Sequence, residues 1–116
     1  MADTWYTGNA NDATGTRGWL LGHFIEPADD IRSTGDLEIK WGTHPAGDRR
    51  PEWVGEEKRT TLVLLVSGRF RVDLSVGTVQ MQRQGDYAVW GPGIDHTWEA
   101  EEDSVVITVR WPSIGT

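Results

Sequence analysis

The stretch "LEIKWGTH" (37–44) sorts its side chains by parity. Leu37, Ile39, Trp41 and Thr43 fall on one side of an extended chain, and Glu38, Lys40, Gly42 and His44 on the other. The same period of two runs through Phe70, Val72 and Leu74, through "TVQMQR" (78–83), "DYAVW" (86–90), "HTWEA" (96–100) and "SVVITVRW" (104–111). No stretch of ten residues carries an apolar stripe of helical period. A chain patterned this way hides its apolar faces only by pairing strands and closing them on one another. The connections agree: "EPADDIRSTGD" (26–36) and "PAGDRRPEWVGEE" (45–57) are rich in residues that turn the chain, and the 14 glycines supply the positive φ that tight turns need. "WLLGHFI" (19–25) reads as a first short strand. Leu62 to Val66 is apolar on both faces and reads as a central strand, with Ser67-Gly68 predicted to be the tight turn of a hairpin to Phe70. Eight or nine short strands point to an all-β barrel or sandwich.

Residues 1–18 are polar and aperiodic and read as a flexible N-terminal arm, leaving 19–116 as a single β-barrel domain. A net charge of -7 repels phosphate backbones, so nucleic acid is not an expected partner. The longest apolar run is too short to span a bilayer and no basic amphipathic segment is visible, so no membrane partner is expected. The first residues lack the basic and apolar regions of a secretory signal, and there is no cysteine, so the cytoplasm is the expected compartment. The absence of cysteine also removes thiol nucleophiles and zinc–thiolate sites.

"GDYAVWGPGIDHTWEA" (85–100) resembles the second motif of the cupin family: a Gly, five residues, Pro-x-Gly, two residues, His, three residues, Asn. Gly85, Gly93 and His96 fall on that pattern, Gly91 stands at the proline position with Pro92 one step late, and Ala100 replaces the Asn. "TLVLLVSGRFRV" resembles the end of the first motif, with Gly68 as its closing glycine. The resemblance implies an antiparallel jelly-roll barrel of about eight to ten strands. In the family the first motif supplies His-x-His and a Glu that bind a metal together with the second-motif His. Counting back from Gly68 puts Thr61 at the Glu position and Glu56 or Glu57, then Val54 or Gly55, at the two His positions. Counting forward from Gly47 gives Trp53 and Gly55, then Arg59 or Thr60. Neither count yields a histidine, so no metal cofactor is expected. A rebuilt site from His44, Glu56 or Glu57, and His96 is the fallback, since these are legal nitrogen and oxygen ligands.

The 7 tryptophans supply the main expectation, which is metal-independent binding of a small, partly apolar organic ligand inside the barrel. Trp41, Trp53, Phe70, Tyr87 and Trp98 are the expected walls and His96 the polar anchor, an imidazole that donates one hydrogen bond and accepts another. Arg49 and Arg50 have two readings, a clamp on a ligand carboxylate at the barrel mouth or a solvated loop paired with Asp48 or Glu52. The rings have two as well, since they also suffice to fill a small barrel. Against binding stands a cupin enzyme of isomerase, cyclase or oxygenase type, with His96 as catalytic acid–base or as one arm of a non-standard metal site. A third reading is a sensor or structural dimerisation module. A homodimer is expected, because Leu62, Leu64 and Val66 need cover on the face opposite Val63 and Leu65.

Overall fold

The computed structural model describes residues 4–55 and 58–113. They form eight strands: β1 Trp19–Leu21, β2 Glu38–His44, β3 Thr60–Ser67, β4 Phe70–Leu74, β5 Gly77–Met81, β6 Tyr87–Trp90, β7 His96–Ala100 and β8 Ser104–Trp111. One antiparallel sheet has the order β1-β2-β8-β3-β6 and the other β5-β4-β7. The expected all-β architecture is present. Alternation puts Val63 and Leu65 of β3, Phe70 and Val72 of β4, and Val106 of β8 between the sheets, where Met81, Ala88, Trp90 and Ala100 complete a buried core.

The second sheet is longer than its three strands. Residues 47–54 run antiparallel along the open edge of β7: Gly47 N–H donates to Ala100 C=O, Ala100 N–H to Asp48 C=O, Arg50 N–H to Trp98 C=O, and Val54 and His96 exchange both bonds. Three residues, Pro51 to Trp53, stand against the single Thr97 between the Arg50 and Val54 pairings. The edge bulges there, as proline without an N–H permits.

Three expectations about the chain path change. Ser67-Gly68 is not a hairpin turn, because β3 pairs with β6 and β8 while β4 pairs with β5 and β7. The chain crosses between sheets there, pressed against the β7–β8 connection. Gly68 has φ +92° and a Cβ on it would lie 2.2 Å from Asp103 C=O, so glycine serves close approach rather than a hairpin. The strand predicted over 19–25 stops at Leu21, and the next residue, Gly22, bridges in parallel to Ser33. Within the stretch expected to be an arm, Ala10–Thr16 form a 3-10 helix packed on β1 and β2. Trp41 Nε1 donates to Asn11 Oδ1 at 3.0 Å, tying the helix to β2. No helix among the described residues is long and apolar enough to cross a membrane.

Candidate functional site

A cavity of about 330 Å³ lies between the two sheets. Each strand contributes alternate residues, as the pleat requires. β2 gives Lys40, Gly42 and His44, β8 gives Val106, Thr108 and Arg110, and β3 gives Thr61 and Val63 with Arg59 just before it. Phe70 and Val72 come from β4, His96 and Trp98 from β7, Trp90 from β6, and Arg50 and Val54 from the edge segment. So Lys40, Arg50, Arg59 and Arg110 line one cavity, and no Asp or Glu is among the described residues that line it. In a chain of net charge -7 that segregation is not a matter of composition.

Strand register orders these groups along the cavity. Arg110 lies across from Thr61 on one side and Glu38 on the other, and Trp90 lies across from Thr61. The next inward rung is Lys40, Thr108 and Val63, and the one after holds Gly42 and Val106. His44 follows Gly42 on β2, where its ring lies 5.6 Å from Phe70 and 4.6 Å from Trp98, and those two rings stack at 5.2 Å. One end is therefore cationic and the other aromatic.

The cations are close enough to feel one another. The Lys40 ammonium and the Arg110 guanidinium lie 5.4 and 5.6 Å from the centre of the same Trp19 ring. Burial pulls the Lys40 pKa below the usual lysine value, and repulsion from Arg110, Arg17 and Arg50 lowers it further. Arg59 donates to Glu38, a carboxylate only 3% exposed, which holds the guanidinium at the cavity edge. Thr61 Oγ1 and Trp90 Nε1 are buried on the cavity wall without a hydrogen-bond partner among the described residues. A buried polar atom left in that state costs about 1–3 kcal/mol, which a polar ligand atom would offset.

Of the residues expected from the sequence, Phe70, His96 and Trp98 meet in this cavity, and Arg50 joins them. His96 is fixed through its backbone pairing with Val54 and lies 4.9 Å, ring to ring, from Trp90. Trp41, Trp53 and Tyr87 do not line it. Trp41 shares the outer parity of β2 and lines a second hollow of about 400 Å³ against the 3-10 helix. Trp53 sits on the bulge and is 54% exposed, and Tyr87 is 63% exposed on the outer face of β6. Arg49 pairs by backbone with Glu99, its parity opposite to that of Arg50. Of the fallback metal set, His44 and His96 reach the cavity, while Glu56 and Glu57 lie outside the described residues. Among the described residues no three His, Cys, Asp or Glu side chains converge to hold a metal, and Val54 and Thr61 line the wall at positions the family pattern gives to metal ligands. Lys40, Arg59 and Arg110 were missed from the sequence. The available signal was a cation at an alternating position inside an otherwise apolar strand, as in "EIKW" and "VRW".

No family model and no curated protein matches the chain. Solved structures do. KdgF from Halomonas sp. matches at 26% identity and a TM-score of 0.61 over 68% of this chain and 72% of that one. A conserved Streptococcus pyogenes protein of unknown function matches at 21% identity and 0.59, over 66% and 64%. An RmlC-like cupin from Shewanella frigidimarina matches at 17% and 0.61, over 67% and 68%.

Proposed function

On a chain whose fold is that of the cupins, we propose that the barrel binds a small organic anion, its carboxylate on the cationic end and a partly apolar body against Phe70, Trp98 and Val106. The observation that carries this reading is the convergence of four cations, with no described carboxylate, on one cavity of an acidic protein. Like charges held together in a partly buried site raise the free energy of the empty protein, and an anion relieves that cost. Arginine forks match carboxylates through paired hydrogen bonds. The aromatic end gives van der Waals contact and excludes water, which strengthens the ionic contacts beside it. His96 then serves as a neutral hydrogen-bonding group on the wall.

The test is titration of tryptophan fluorescence with phenylacetate and with its uncharged amide. Phenylacetate is expected to quench and to bind at least tenfold tighter than phenylacetamide, the scale of one charge-assisted hydrogen bond of about 1.5–3 kcal/mol. Equal binding of acid and amide removes the anion from the reading.

We propose further that a second copy of the chain covers the outer face of the five-stranded sheet. Leu62 and Leu64 of β3, Ile107 and Val109 of β8, and Tyr87 and Val89 of β6 lie side by side in register on that face. Tyr87 and Val89 remain exposed. An apolar sheet face of this kind favours pairing with its own copy about a twofold axis. Sedimentation is expected to give a dimer at micromolar concentration and a folded monomer for Leu64→Glu; a monomeric parent would end this proposal.

A further inference from the structure

His44 is the one cavity histidine whose proton position is set by a carboxylate. Its Nδ1 lies 2.7 Å from Asp48 Oδ2, and the His44 side chain is largely buried. An ionised Asp48 accepts the Nδ1–H, which leaves the lone pair on Nε2. Nε2 has no hydrogen-bond partner among the described residues. It lies above Gly42, 2.7 Å from where a Cβ would stand, so any side chain at 42 would push the ring aside. The absent side chain therefore leaves room for both the ring and a ligand atom over the backbone.

We propose that His44 is a general base, positioned by Asp48, and that the cavity moves a proton on the carbon next to the carbonyl of a bound 2-oxo carboxylate. This rests on the anion reading above. The spacing argues for the substrate class. Lys40 and Gly42 are on the same face of β2, two residues or about 7 Å apart along the strand. A carboxylate on the Lys40 ammonium, which reaches inward from that rung, puts the adjacent carbonyl and the next carbon over Gly42, beneath Nε2. An aromatic group on that carbon meets Phe70 and Trp98, which flank the His44 ring. In the step, the C3–H bond breaks and the proton goes to Nε2. The C–H electron pair becomes the C2=C3 bond, and the carbonyl pair moves onto oxygen. The cations stabilise that enolate, and the imidazolium returns a proton to C3 or to the oxygen. No oxidant or other reactant is required.

The experiment uses phenylpyruvate in D2O, with loss of its C3–H signal followed by NMR and binding followed by tryptophan fluorescence on the same samples. The parent is expected to exchange C3–H at least tenfold faster than buffer alone. His44→Gln is expected to lose about 100-fold of the catalysed rate while still binding, within the range usual for a general base. Asp48→Asn should lose part of the rate and Asp48→Glu recover it. The ring nitrogen shifts of His44 should show the Nδ1–H form in the parent and not in Asp48→Asn. If His44→Gln does not fold, Gly42→Ala displaces the ring instead and should slow exchange. Quenching without accelerated exchange, or undiminished exchange in the folded His44 and Gly42 variants, overturns the base and leaves the anion reading standing. Absence of phenylpyruvate binding overturns both.

Discussion

Lys40→Met combined with Arg110→Gln is expected to weaken phenylacetate binding by more than 100-fold while leaving the fold as stable as the parent. The two charged groups share the face of Trp19, and repulsion from Arg110 contributes to the lowered Lys40 pKa. Removing both relieves repulsion that the empty protein bears, so stability does not depend on keeping them. Binding does: two charge-assisted contacts at about 1.5–3 kcal/mol each correspond to 100-fold or more. Fluorescence titration and urea unfolding on the same variant separate the two roles. Binding within tenfold of the parent, or a stability loss above about 1.5 kcal/mol, would make the pair structural.

Glu38→Ala is expected to destabilise the protein by about 3 kcal/mol, the lower end for breaking a buried ion pair, because Arg59 retains some exposure to water. Glu38 is the buried acid beside this cluster, bonded to Arg59 and across the sheet from Arg110. Without it, Arg59 keeps its bond to Ser113 C=O but loses its counter-charge beside a second guanidinium. The variant should therefore be stabilised by added phenylacetate more than the parent is, since the ligand replaces the missing negative charge. Glu38→Gln keeps the packing and should cost less. Chemical denaturation with and without ligand checks both statements; a loss below about 1 kcal/mol would show that Glu38 is not needed to offset these cations.

Much of the fold was legible because alternation is a local property. The strands from β2 to β8 lie where period two put them, and Leu65, Phe70 and Val72 are buried as their parity required. Phe70, His96 and Trp98 were legible as site residues for the same reason, helped by the resemblance that placed His96 on the barrel wall. Trp53 was not, since its position depends on how many residues bulge between Arg50 and Val54, and that is set by pairing with β7. The Ser67-Gly68 corner was misread because a turn residue does not say whether the strands on either side of it pair.

β2 shows the limit most clearly. Its sequence divided Leu37, Ile39, Trp41 and Thr43 from Glu38, Lys40, Gly42 and His44, and the structure keeps that division. Alternation does not say which side faces inward. Apolar transfer alone favours Trp41 inside and Lys40 outside. The tertiary structure decides otherwise because partners for the polar side come from distant parts of the chain: Arg59 for Glu38, Thr108 and Arg110 beside Lys40, and Phe70 and Trp98 around His44. Trp41 in turn finds Asn11 and the 3-10 helix on the outside. Period two is fixed by the geometry of one extended chain, whereas the choice of face is fixed by free energies of contact between strands that only the closed barrel brings together.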